Sequence, residues 1–318
     1  MVSQADDHVL FILGAARSGT SHLSRVVTRA FGYGMGPEGD FVLDFLPKLS
    51  RYGDLSEPKN LNRLVIDISR DMMFTVLREQ YGVNITAPVI LDRVRVPSYA
   101  GVVEAVFRAI ADLRGLPRIG NKNPGFCWNL PGIEALFPGR ARYLCIVRDG
   151  RDVFLSLQGM PWGRQSAYVA AKRWAQAEEK IRTFGETVGG DRLLLVQYEQ
   201  LRSDMDRTLA KMEDFLKIRI PPDTRASLLA DNDKRINYGK WKTLMSRDDQ
   251  EVYEAIAGDV LRRYGYETRF AQPSIGSGAA LRYKLGELAR LIRINFYHAR
   301  NRHRPGDPRD DLFKPDLS

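Results

Sequence analysis

Apolar residues along this chain follow two patterns. Short unbroken runs, His8 to Leu13, Tyr143 to Val147 and Leu193 to Val196, have the length of strands buried on both faces. Each is followed by a segment whose apolar residues recur three and four apart: Thr20 to Ala30, Asp152 to Leu157 and Met205 to Leu216. A strand, loop, helix order met three times predicts parallel strands joined by crossover helices. The expected fold class is therefore α/β, with a central parallel sheet flanked by helices.

Between the first two units lies a long stretch, Phe41 to Leu116, read as a helical insertion from the periodicity of Leu61 to Gln80 and Tyr99 to Leu113. Pro221 and Pro222 are expected to end one helix, and a polar segment, Asp231 to Asp249, precedes another, Glu251 to Tyr264, with Gly265 as its stop. Ser274 to Gly278 reads as a linker. Beyond it Leu281, Leu285, Leu288, Leu291, Ile292 and Phe296 form an apolar stripe beside Arg282, Lys284, Arg290 and Arg293. The expected organisation is one domain over 1–272 and a basic helical extension over 273–318. That helix either packs on its own domain or makes peripheral contact with a membrane surface or a partner.

Composition narrows the classes. The chain has 318 residues, of which 44% are hydrophobic and 27% charged, enough to bury one large core. Val9 to Leu13 is too short to cross a bilayer and Met1 to Asp7 is acidic, so neither a signal peptide nor an anchor is expected at the start, and the expected location is cytoplasmic. Two cysteines, Cys127 and Cys145, and four histidines, His8, His22, His298 and His303, show no metal-ligand spacing, so no metal is expected. A net charge of +9 favours anionic partners. Aromatic residues are not interleaved with the basic ones as in a stacking platform, so nucleic acid is not the expected partner.

The candidate chemistry sits after two of the strands. Gly14-Ala15-Ala16-Arg17-Ser18-Gly19-Thr20-Ser21 joins the first strand to its helix, where small residues let backbone amides converge on an anion. Its glycine spacing imitates an ATP-binding loop, but Thr20 stands where the lysine belongs, and Arg17 is the cation on hand. The second element runs from Arg148 to Ser156: a buried strand ends on an arginine and enters a helix that carries a serine. Asp149 invites a magnesium-site reading, and with it an ATP-dependent kinase or a nucleotide-binding module without catalysis, against which Arg148 and the missing lysine argue.

These residues resemble the sulfotransferases that use 3′-phosphoadenosine-5′-phosphosulfate. Arg17 to Ser21 is similar to that family's 5′-phosphosulfate loop, and Arg148 through Ser156 to its 3′-phosphate motif. Asn121-Lys122-Asn123-Pro124, followed by Leu136-Phe137-Pro138, resembles a segment of tyrosylprotein sulfotransferases and their bacterial relatives. Val196 to Leu201 resembles a strand-end Tyr-Glu motif, Gly239-Lys240-Trp241 a late Lys-Trp element, and Gly265-Tyr266 a Gly-Tyr helix end. The resemblance runs from about Val9 to Tyr266 and implies a P-loop-like three-layer fold. It implies the phosphosulfate nucleotide as cosubstrate, 3′,5′-bisphosphoadenosine as product, and a hydroxyl acceptor on a carbohydrate, lipid-linked or other small molecule. No transmembrane stem is expected, and Arg17 stands where cytosolic aryl and steroid enzymes usually have lysine.

Roles follow from the same resemblance. Arg17, Ser18, Gly19, Thr20, Ser21, Arg148, Ser156, Tyr198 and Lys240 are the expected nucleotide-binding residues, and Arg17 and Lys122 the cations at the transferring group. Glu38, in the glycine-rich stretch Gly34 to Gly39, is the expected base, with Asp40 and Asp44 nearby and His22 as a rival. Trp162 is a candidate for lining the acceptor pocket.

Overall fold

The computed structural model describes residues 8–160, 165–232 and 237–275, together with Tyr283 and Gly286. Five strands occur among the described residues: β1 (Val9–Leu13), β2 (Tyr33–Gly34), β3 (Arg118–Lys122), β4 (Ala141–Val147) and β5 (Leu193–Gln197). All pair in parallel, in the order β2-β3-β1-β4-β5. β1 is central, and although it is apolar throughout, its pleat still sorts side chains by alternation. Val9, Phe11 and Leu13 enter one core and Leu10 and Ile12 the other; β4 divides in the same way, with Tyr143, Cys145 and Val147 opposite Leu144 and Ile146. Burial on both faces is why these strands read as continuous apolar runs. Phe11 is the hub of the larger core, with the rings of Phe107, Phe126, Phe137 and Tyr143 at 5.5 to 6.1 Å from its own.

The helices of the described residues are α1 (Thr20–Phe31), α2 (Phe41–Asp44), α3 (Pro58–Ile68), α4 (Met72–Tyr81), α5 (Ala87–Leu91), α6 (Tyr99–Leu113), α7 (Leu130–Leu136), α8 (Gly150–Gln158), α9 (Ala167–Val188), α10 (Tyr198–Ser203), α11 (Met205–Leu216), α12 (Pro222–Ala230), α13 (Trp241–Leu244) and α14 (Arg247–Arg263). Apolar residues of α1, α11 and α12 cover one face of the sheet, and those of α6 to α9 and α14 the other. The stretch between β2 and β3 is helical, as its periodicity predicts.

Three boundaries differ from expectation, the first being the last helix, which begins at Arg247 and not at Glu251 because Ser246 caps it through the Asp249 amide. Leu61 to Gln80 is two helices, broken where the Asp71 carboxylate accepts the Met73 amide at 2.9 Å and starts α4 anew. Pro221 and Pro222 begin a helix instead of ending one: Pro222 is the first residue of α12, where its missing N–H is no loss, and α11 has already stopped at Lys217 in the left-handed region (φ 59°). β2, β3 and the long helix α9 carry no strong sequence signal. Trp162, His298, His303 and nearly all of the basic extension lie outside the described residues. Tyr283 is helical, and its ring stacks on Tyr168 of α9 with centroids 5.7 Å apart. No helix among the described residues is long and apolar enough to cross a membrane.

Candidate active site

The candidate residues gather at the carboxyl edge of the sheet. After β1 the chain turns through a tight loop closed by the Ser18 amide on the Ala15 carbonyl at 3.0 Å. Arg17 is held in the left-handed region (φ 70°), a conformation that non-glycine residues adopt at a cost and mostly at functional sites. Gly19 follows at φ 100°, and a Cβ there would lie 2.5 Å from the Tyr198 ring, so only glycine fits. The first helical bond of α1 runs from the Leu23 amide to the Gly19 carbonyl, which leaves the amides of Thr20, Ser21 and His22 without an intrahelical acceptor. No acidic residue occupies that first turn, so the positive end of the helix dipole is not neutralised. Ser18 is 0% exposed, and its Oγ has no partner among the described residues.

β4 delivers the second element. Arg148, buried, places its guanidinium over the Tyr198 ring at 4.6 Å, donates Nη2 to the Asn237 carbonyl at 2.6 Å and turns Nη1 toward the Arg17 carbonyl at 3.4 Å. Its Nε has no partner among the described residues. Arg17 in turn donates Nε to Ser156 Oγ on α8 at 3.1 Å. The two loops that the sequence suggested separately thus form one surface. Lys240 is exposed beside it, because the flanking amides of Gly239 and Trp241 both donate to the Asp152 carboxylate of α8. Burial raises the Asp152 pKa, and those two amides pull the other way.

Sequence reasoning missed what fixes α8. Asp149 caps the helix through the Arg151 amide, and both of its carboxylate oxygens bind the Arg151 guanidinium, at 3.0 and 2.8 Å. Arg151 is fully buried, donates also to Glu254 at 2.7 Å, and lies over the Trp241 ring at 3.4 Å. Asp149, which the magnesium reading would use, is therefore taken up by an internal arginine. The Tyr-Glu and Gly-Tyr elements meet here too: Glu199 accepts from the Asp149 amide at 3.0 Å and from the Tyr266 hydroxyl at 2.9 Å. An Arg followed by two acids around a helix start was the available signal.

Beside β1, the end of β3 presents three consecutive buried residues to the glycine-rich loop. Asn121 Nδ2 donates to the Pro37 carbonyl at 3.1 Å, Lys122 Nζ pairs with Glu38 Oε1 at 2.6 Å, and Asn123 Nδ2 donates to Asp40 Oδ1 at 2.8 Å. Lys122 keeps 1% of its side chain exposed and Glu38 27%, so Glu38 is half-buried while its partner is sealed in. Asp40 is engaged by Asn123, and Asp44 lies exposed on α2. His22 faces the Tyr198 ring edge-on at 6.3 Å. Burial, then the charges of Arg202 and Arg25, lower its pKa to about 4, so it is a weak base.

As a whole the surface offers helix amides, two guanidinium groups and two buried donors, Ser18 Oγ and Arg148 Nε, with no acceptor among the described residues, which suits a ligand with more than one anionic group. Among solved structures, the sulfotransferase domain from the curacin biosynthetic pathway is 22% identical, covers 82% of this chain and 99% of its own, and superposes with a TM-score of 0.54, a likeness of fold. Sulfotransferase STF9 from Mycobacterium avium is 14% identical with a TM-score of 0.47, covering 84% of this chain and 79% of its own. Mouse sulfotransferase SULT7A1, complexed with PAP, is 11% identical with a TM-score of 0.45, covering 83% and 89%. No curated protein matches the chain. The family model described as the sulfotransferase family matches residues 10–222, about two thirds of the sequence, and the chain belongs to the sulfotransferase family.

Proposed function

We propose that this sulfotransferase takes its sulfuryl group from 3′-phosphoadenosine-5′-phosphosulfate and places it on a hydroxyl of a carbohydrate, lipid-linked or other small molecule, with 3′,5′-bisphosphoadenosine as the second product. One observation carries the reading: Arg17 of the first loop bonds to Ser156, while Arg148 turns back to the Arg17 carbonyl, so two anion-binding elements form a single surface. Separate phosphates on one nucleotide match it better than the contiguous chain of ATP, whose outer phosphates would call for the lysine that Thr20 replaces. We assign the activity to residues 1–272, with the segments between β2 and β3 shaping the acceptor side.

The bound nucleotide supplies an activated sulfuryl group and a phosphate leaving group. Glu38 takes the proton from the acceptor hydroxyl as that oxygen bonds to sulfur, and Lys122, paired at 2.6 Å, orients the carboxylate. Arg17 and the α1 amides hold positive charge at the edge where negative charge develops on the leaving oxygen, and Lys122 supports them from behind Glu38. Arg148, Ser156, Tyr198 and Lys240 act on affinity. The scheme works by positioning and fixed charge.

Calorimetric titration tests it. We expect 3′,5′-bisphosphoadenosine to bind at least about tenfold more tightly than ATP, a margin of about 1.4 kcal/mol. Arg148→Ala should lose most of that preference. Equal affinities for the two nucleotides would overturn the reading.

A further inference from the structure

A cavity of about 190 Å³ opens at the amino end of α6, and none of its lining residues belongs to the surface described above. Arg93, Arg95, Arg108 and Arg140 line it against a single carboxylate, Glu104. That carboxylate is already spoken for: Arg140 binds both of its oxygens, at 3.1 and 3.2 Å. Of the other three, Arg93 is paired from outside the cavity, with Asp112 at 2.9 Å and Asp92 at 3.9 Å, whereas Arg95 and Arg108 have no carboxylate partner among the described residues.

The site is built, not incidental. The segment before α6 folds back across its first turn so closely that a Cβ on Gly101 would lie 2.0 Å from the Val96 carbonyl, which only glycine permits. Ser98 Oγ caps the Gly101 amide at 3.1 Å, which leaves the amides of Tyr99 and Ala100 at the start of a 15-residue helix without an intrahelical acceptor. Two guanidinium groups are fixed in place from behind. Arg93 is held by Asp112 and the Val89 carbonyl, both at 2.9 Å, and Arg108 by the Pro117 carbonyl at 2.7 Å. Each has five N–H donors, so these bonds leave donors over.

We propose that this cavity is a second anion site, which binds the phosphate or sulfate group of a small ligand. Its volume is that of about six waters, room for a tetrahedral oxyanion and a few carbon atoms and too little for a nucleotide. Pre-placed arginines and helix amides are the donors that such a group selects.

The test is equilibrium dialysis of radiolabelled inorganic phosphate against the full chain at constant ionic strength, for the natural protein, the Arg95→Ala/Arg108→Ala double variant and Arg148→Ala. The double variant should lose one equivalent of bound phosphate, or bind it at least about tenfold more weakly, whereas Arg148→Ala should retain that equivalent. Arg95 is exposed and takes no part in the bonds that hold Arg93, Arg108 and Arg140, so the single variant Arg95→Gln, expected to weaken phosphate binding, reports even where the double variant misfolds. Competition by glycerol phosphate against inorganic sulfate tells an organic phosphate from a free ion, and displacement by either supports the site. Unchanged phosphate binding in both arginine variants, or loss of all binding in Arg148→Ala, overturns it.

Discussion

Glu38 and Lys122 come from a loop and a strand end some eighty residues apart, yet they form one ion pair in which Glu38 alone is partly exposed. That division gives a sharp expectation: Glu38→Gln should lower kcat by about 10²- to 10⁴-fold while leaving 3′,5′-bisphosphoadenosine affinity within about twofold, because general-base groups act on the proton and not on the cofactor. Steady-state kinetics with calorimetry on the same preparation decides it, and a variant that loses binding and turnover together would place Glu38 in the nucleotide site. Glu178 of α9 is a second informative residue. It is fully buried, and burial pushes its carboxyl from 4.5 up to about 8, with the neighbouring Tyr264 hydroxyl pulling weakly the other way. The folded state therefore holds a proton that the unfolded chain releases, so stability from this group is full below about 4.5, falls as pH rises and is lost above about 8. Urea midpoints should decline across that window in the natural protein and flatten in Glu178→Gln. The glycine-rich loop that carries Glu38 could be picked out from the sequence; the burial of Lys122 beside it could not, since that depends on Asn121 and Asn123 clamping the same loop from β3.

At the scale of elements, α8 decides whether the loops after β1 and β4 stay joined. Its start is fixed by Arg151, a buried cation shared between Asp149 and Glu254 and covered by Trp241. Breaking such a pair strands buried carboxylates, so Arg151→Ala should destabilise the fold by about 3–5 kcal/mol in urea titration. Nucleotide affinity should fall as well, because Ser156 and the Asp152 clasp on the Lys240 loop ride on the same helix. Which elements were legible follows from how they are buried. The apolar runs of β1, β4 and β5 were legible because helices cover both faces of the sheet. β3 carries Asn121 and Lys122 into the interior to bind a loop, so its polarity hid it. The division of α3 from α4 turned on one capping carboxylate, Asp71, inside an otherwise continuous helical period.

Over the whole molecule, the sheet's two cores meet at β1, and Phe11 anchors the larger one. Phe11→Ala should cost about 3–5 kcal/mol and lower the melting temperature without altering the nucleotide preference of the protein that remains folded. Charge told less than pattern did, since +9 is compatible with many anionic partners. The strand order has a consequence of its own. The phosphate loop follows β1 and Arg148 follows β4, and these strands are immediate neighbours in register from Val9 with Ala141 to Leu13 with Cys145. Their spacing, about 4.8 Å, is set by the hydrogen-bond ladder and cannot stretch without unzipping the sheet. On the proposed reading the two loops are the fixed jaws of a caliper, which measures how far apart a ligand carries its charges.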